Sequence, residues 1–303
     1  MSKEKTGQDD KGDAGTPARR PTLADDLGAT PAEIGAVTPI DPVAMARRDL
    51  QKSLPKRFYK EARAGERDGA FALLLDGRPA KTPGRNAFAA PTRAAAEALA
   101  EEWGRQGELI DPTEMPLTRM ANSAIDGVAQ ARDATAEDIA RFGASDLVCY
   151  RAGESEALAK AQAARWDEVL DYAREKLGAR LICAEGVNYV EQPEASKRAI
   201  RAAVERIAGD GPAAPFALTA LHVMTTLTGS ALLALAVADG VLTPQEAWAR
   251  AHIDEDFQMN IWGSDEAALA RRARRWAEME GAARLLKAVR ANEATPDAGQ
   301  GAA

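Results

Sequence analysis

Two periodicities divide the chain. Between residues 57 and 90, apolar positions come in short runs separated by turn-forming residues. Residues 58–63 read as a strand, Ala70 to Leu75 is an apolar run, and Asp76-Gly77 is a hairpin signal ahead of residues 78–81. Thr82-Pro83-Gly84 marks a second turn, residues 86–90 a further strand, and Gly65 and Gly69 another reversal. This predicts an antiparallel meander too small to stand alone, which needs a helix to pack on.

From Thr92 onward the apolar spacing is helical. It predicts helices over 92–106, 116–129, 134–142, 155–177, 193–207, 215–228, 230–238, 243–262 and 264–289. In 155–177, Leu158, Ala161, Trp166, Val169, Leu170 and Ala173 fall at helical spacing, and Gly178 stops the helix. Residues 181–184 read as a short strand or a connector. The fold class is therefore α+β, a small antiparallel β-rich N-terminal domain followed by a larger all-helical domain. The expected boundaries are a disordered polar tail at 1–50, the β-rich domain with one helix at 51–110, the helical domain at 111–291 and a frayed tail at 292–303.

The segment 242–263, LTPQEAWARAHIDEDFQMNIWG, has a pattern of its own. Thr243 can act as N-cap, Pro244 suits the first helical position, and Glu246 completes a capping box. On one continuous helix, Trp248, Ala251, Glu255, Met259 and Trp262 share a stripe, with Ile253, Phe257 and Ile261 on the opposite side. Two apolar stripes flanking the acids Asp254, Glu255 and Asp256 mean either deep burial or one face turned to a partner.

Composition narrows this picture. Aromatic residues make up only 5% of the 303 residues, while Ala and Arg are abundant, which favours helix. A net charge of −7 without a dominant basic block argues against nucleic-acid binding. Cys149 and Cys183 lack metal-ligand spacing and read as two reduced, buried thiols. The N-terminal sequence lacks the apolar core of a signal peptide, and its acids are unlike a transit peptide. The run 216–238 is about long enough to span a bilayer, yet near its middle it holds His222, Thr225, Thr226, Thr228 and Gly229-Ser230. A buried, broken helix pair is expected, with no membrane insertion.

No phosphate loop, dinucleotide fingerprint or nucleophile elbow occurs, and no cofactor is expected. Thr82-Pro83-Gly84-Arg85-Asn86 resembles an anion-binding turn, but a tight hairpin accounts for it. His222 lies in an apolar run and reads as a hydrogen-bonded core histidine. His252, with Asp254, Asp256 and Asp265, supports an alternative reading as a metal-dependent hydrolase. Against it, Asp254 and Asp256 point about 160° apart on a helix, so neither a catalytic nor a metal site is expected. Trp103, Trp166, Trp248 and Trp262 are expected to be structural anchors.

Several strings together resemble one family. They are RPAKTPGRN at 78–86, EEWGRQGELIDPTEMPLTRMANSAID at 101–126, SDLVCYRA at 145–152, Gln162 to Trp166 with Leu170, and the segment 242–263. In this order they are similar to the assembly chaperone of the ATP synthase catalytic-head alpha subunit, the assembly factor 2 type, over about residues 55–280. The resemblance implies a binding protein and not an enzyme. Its partner would be the free alpha subunit, whose beta-facing surface it covers until the alpha–beta ring forms. The family's key acidic position falls on Asp254, where members often carry the longer Glu. The client-binding residues are then expected at Asp254, Glu255, Phe257, Gln258 and Ile261. The polar N-terminus, unlike a transit peptide, points to a bacterial cytoplasmic member rather than an imported mitochondrial one, expected to be a monomer when free. A general holdase with no dedicated client is a third reading.

Overall fold

The computed structural model describes residues 54–67, 69–186 and 188–291. The expected tails at 1–50 and 292–303 lie outside the described residues. The meander is built around a central strand. β1 (Ala62–Arg67) pairs antiparallel with β2 (Ala70–Leu75), Ala62 opposite Leu75 and Arg67 opposite Ala70. β3 (Arg78–Pro79) and β4 (Ala89–Ala90) both pair with the other edge of β2. Asp76 and Gly77, at φ 49° and 77°, make the tight turn between β2 and β3 that their residue types favour.

Two expectations shift here. The first strand starts at Ala62 instead of residue 58, because the Asp76 side chain accepts the backbone N–H groups of Lys60 (3.0 Å) and Glu61 (2.8 Å). Those amides are thereby taken from the ladder. Gly65 is not a reversal: it sits within β1, where a Cβ would meet Leu74 Cδ1 at 2.4 Å. Gly69, at φ 78°, belongs to the turn.

α1 (Arg93–Gly104) covers the sheet. Thr92 caps it by accepting the Ala95 N–H at 3.2 Å, and its small buried face, Ala95, Ala96, Leu99 and Ala100, packs near Phe71, Leu73 and Leu75. α2 (Pro116–Asp126) follows, and its first amides have no local side-chain cap. Buried Glu102 of α1 supplies it, accepting the N–H groups of Leu117 (2.8 Å) and Thr118 (2.7 Å).

The remaining helices are α3 (Arg132–Ala144), α4 (Glu156–Tyr172), α5 (Glu194–Ala208), α6 (Ala214–Thr228), α7 (Ala231–Ala238), α8 (Pro244–Ala251), α9 (Ile253–Trp262) and α10 (Glu266–Arg290). α6 is the hub, packing on α2, α3, α7 and α10. The apolar run 216–238 is interrupted by left-handed Gly229 at φ 68°, after which Ser230 caps α7 by accepting the Leu233 N–H at 3.0 Å. Among the described residues no helix is long and apolar enough to cross a membrane. α4 runs on through one wide turn, Ala173–Leu177, to Gly178 at φ 73°. Between α3 and α5, β5 (Tyr150–Arg151) and β6 (Ala184–Glu185) form a two-stranded parallel ladder, so the 181–184 segment leads into a strand. One hydrophobic core runs from Tyr59 to Val289. α10 ties its two parts together: the Ala288 carbonyl accepts from Thr92 Oγ1 at 2.8 Å, and Arg284 pairs with Glu101.

Candidate client-binding site

The segment 242–263 is not one helix. Its start forms as its residues predict: Thr243 Oγ1 accepts the Glu246 N–H at 3.2 Å while Glu246 Oε2 accepts the Thr243 N–H at 2.8 Å. The helix then breaks at His252, with φ −114° and ψ 19°. His252 Nδ1 lies 2.8 Å from the Trp248 carbonyl, the oxygen that a continuous helix would pair with the His252 backbone N–H. That geometry requires the proton on Nδ1. The His252 ring packs on the Trp248 ring at 4.0 Å, and burial, helped by the Arg272 charge, holds its pKa below the usual histidine value. The imidazole thus takes the carbonyl that the next helical N–H would use, and α9 starts with a new phase.

The break changes which residues share a face. Trp248 is buried and meets Trp276 at 5.7 Å. Trp262, expected as a core anchor, is 81% exposed, so that expectation is corrected: once α9 restarts, its C-terminal end projects away from the body. Trp166 is buried, its Nε1 donating to the Arg250 carbonyl at 2.8 Å. Trp103 is half-buried, donating to Thr118 Oγ1 at 2.9 Å and packing beside Tyr59.

Asp254 is exposed in the first turn of α9, where the helix dipole favours an acid. It is also held. Gln162 Nε2 donates to Asp254 Oδ1 at 2.7 Å, while Gln162 Oε1 accepts the Ala152 N–H at 2.8 Å. Gln162 is only 1% exposed and sits on α4 one turn before Trp166, so two successive turns of α4 grip the α8–α9 joint. Arg250 adds to this grip, donating to the Arg165 carbonyl at 3.1 Å and to Glu168 at 2.7 Å.

Asp254, Phe257, Gln258 and Ile261 fall at i, i+3, i+4 and i+7 and so lie on one face of α9. Phe257 is half-buried against the core edge, whereas Gln258 and Ile261 are exposed. Gln258 Oε1 accepts from Trp262 Nε1 at 3.1 Å, which fixes the indole beside Ile261. Glu255 is exposed, 3.8 Å from His252 Nε2. Leu269, in the next helix, is also an exposed apolar residue. The tip therefore carries acids at its base and an apolar ridge at its end.

The acid–His cluster of the alternative reading is not assembled. Asp254 is bound to Gln162, Asp256 pairs with Arg272, and Asp265 caps α10 by accepting the Ala268 N–H at 3.0 Å. Among the described residues no group of three or more His, Cys, Asp or Glu is gathered to hold a metal ion. His222 hydrogen-bonds Asp138 at 2.9 Å from a half-buried position. The Thr82-to-Asn86 turn does cradle an anion, but the anion is Asp126 of the same chain. That carboxylate accepts from Thr82 Oγ1 (2.6 Å), Gly84 N (2.8 Å) and Asn86 Nδ2 (2.8 Å), bonds that hold its pKa below the usual carboxylate value. A Cβ on Gly84 would lie 2.7 Å from that carboxylate, so a side chain there would push Asp126 out of the turn.

Sequence reasoning missed Gln162 as the support of Asp254, and missed that Trp262 faces outward. The i, i+7 spacing of Asp254 and Ile261 was available as a signal for the exposed face.

Comparison with known proteins agrees with this architecture. Residues 56–174 match the family model described as ATP12 chaperone protein. The crystal structure of the Atu1473 protein from Agrobacterium tumefaciens, described as a candidate chaperone, is 47% identical, with a TM-score of 0.75 over 84% of this chain and 93% of that one. The crystal structure of Atp12 from Paracoccus denitrificans is 43% identical, with a TM-score of 0.71 over 78% of this chain and 98% of that one. An aspartate-to-lysine variant of the Paracoccus protein matches to the same extent. The fold thus defines an assembly chaperone, a small sheet carried on a helical body. The chain belongs to the ATP12 chaperone family, whose members are ATP synthase assembly chaperones.

Proposed function

We propose that this chaperone binds the free alpha subunit of the F-type ATP synthase and shields its beta-facing surface until the alpha–beta ring forms. The observation that carries this reading is the α9 tip: Asp254, held from below by buried Gln162, at the base of a ridge ending in exposed Ile261 and Trp262. An unassembled subunit exposes an apolar interface that aggregates in water. An apolar ridge covers such a surface, and a fixed charge sets the register of the complex. A partner with a larger matching interface then displaces the chaperone. Asp254, Glu255, Phe257, Gln258 and Ile261 form the proposed contact, to which Trp262 is added. The family members from Agrobacterium and Paracoccus support a bacterial cytoplasmic setting, and the role is binding without catalysis.

Co-expression with a tagged alpha subunit tests the proposal. The wild-type chain co-purifies with it. Asp254→Lys lowers recovery at least tenfold while the variant stays folded by circular dichroism. Undiminished capture by a folded Asp254→Lys chain sinks the site, and failure of the wild-type chain to capture the subunit sinks the partner.

A further inference from the structure

Both cysteines lie outside the client-binding tip, and the structure corrects their expected burial. Cys149 is buried, but Cys183 is exposed. They are far apart in sequence yet adjacent in the fold. β5 and β6 pair in parallel with Tyr150 opposite Ala184 and Arg151 opposite Glu185. Cys149, the last residue of a 3-10 turn, and Cys183 each immediately precede these strands, which brings the two side chains close enough to interact electrostatically. Neighbouring strands lie about 4.8 Å apart where they pair. Disulfides form across Cα separations of about 4.4–6.8 Å, a range that includes this spacing.

We infer that Cys149 and Cys183 form a reversible intrachain disulfide when the protein meets a low-molecular-weight disulfide. The flanking backbone is already fixed on both sides. The Cys149 N–H donates to the Asp146 carbonyl at 2.9 Å. The residue before Cys183 is clamped by buried Gln192, whose side chain accepts the Ile182 N–H at 2.8 Å and donates to the Ile182 carbonyl at 2.9 Å. The Gly186 N–H donates to the Arg151 carbonyl at 2.8 Å and closes the far end of the ladder.

Exposure assigns the order of events. Burial, together with the charges of Asp146 and Cys183, pushes the Cys149 thiol well above the usual cysteine range, so it is the poorer nucleophile. The exposed Cys183 thiolate attacks one sulfur of the small disulfide. The reagent's S–S bond breaks, one small thiol leaves with the bonding pair and takes up a proton, and a mixed disulfide remains on Cys183. Cys149 Sγ then attacks Cys183 Sγ, the Cys183–small-thiol S–S bond breaks, and the second small thiol leaves with the bonding pair and takes up the proton that Cys149 gives up. Two protein thiols and one small disulfide become one protein disulfide and two small thiols.

The link ties the segment 178–192, which carries exposed Ile182 and Tyr189, to β5. β5 runs directly into Ala152, whose N–H fixes Gln162 and, through it, Asp254.

The test uses the full chain incubated with glutathione disulfide, blocked with iodoacetamide, and analysed by intact mass and peptide mapping. The expected product is a monomer lighter by two hydrogen atoms, with the Cys149 and Cys183 peptides joined and dithiothreitol restoring the free thiols. Closing this long loop is expected to raise Tm by about 5–10 °C. Cys183→Ser, at an exposed position, keeps the wild-type Tm and gives neither the link nor the rise. A chain that stays reduced, carries only a glutathione adduct on Cys183, or joins to a second copy through Cys183 overturns the inference.

Discussion

Gln162 is a polar residue within an apolar stripe, flanked at helical spacing by buried Leu158, Trp166 and Val169. Its amide uses both ends, one on the Ala152 N–H and one on Asp254. Gln162→Leu leaves a backbone N–H without its partner and frees the Asp254 side chain. The expected cost is about 1–3 kcal/mol in denaturant unfolding, with weaker alpha-subunit capture. Asp254→Asn separates charge from support, because its amide oxygen still accepts from Gln162. Its stability stays within about 0.5 kcal/mol of wild type, while capture falls. If Asp254→Asn captures as well as wild type, the charge is not what the client reads. The periodic pattern marks Leu158, Ala161 and Trp166 but not Gln162, because a polar side chain inside an apolar stripe adds nothing to the helical signal. Only the family strings draw the eye to it.

Among the elements, α6, α7 and β2 form where their residues predict, since each is long in apolar residues and bounded by a turn or cap. The α8–α9 break was not legible, because it comes from one side-chain contact, His252 Nδ1 on the Trp248 carbonyl. That contact contains neither Pro nor Gly and leaves no trace in hydrophobic spacing. The consequence is large: a tryptophan that a continuous helix would place on the same stripe as Trp248 stands 81% exposed. An exposed indole contributes little to folding and much to an interface. Trp262→Ala is therefore expected to shift Tm by less than about 2 °C while weakening capture about tenfold, equivalent to roughly 1.4 kcal/mol. A Tm loss of several degrees would mean the indole is packed in solution. A normal affinity, measured by calorimetry or surface binding, would remove Trp262 from the contact.

For the whole molecule, the division into a small sheet and a helical body follows from the two periods in the sequence, but the joints do not. They are acids reaching across long sequence separations: Glu102 to the start of α2, Asp126 to the 82–86 turn, and Asp146 to the start of α7. Asp146 is the most buried of the three. Its carboxyl accepts from Val148 N at 3.2 Å and from Leu232 N at 3.0 Å. Burial nevertheless outweighs these bonds and pushes its pKa up from 3.8 to about 6. The folded pKa exceeds the unfolded one, so the folded state binds more protons between these values. This group's contribution is full below about pH 4 and is lost as pH rises through about 6, a change of roughly 3 kcal/mol. Other carboxylates, such as Asp126, titrate in the opposite sense, so the raw stability profile mixes signs. Asp146→Asn isolates the effect, because asparagine keeps one acceptor and cannot ionise. The Asn side chain caps one amide less well, so its absolute stability is lower at acid pH. The stability of wild type minus that of Asp146→Asn, from guanidinium unfolding, is expected to fall by roughly 2–3 kcal/mol between pH 4 and pH 7. A difference that stays constant across this range would mean that Asp146 remains ionised in the fold, its hydrogen bonds outweighing burial.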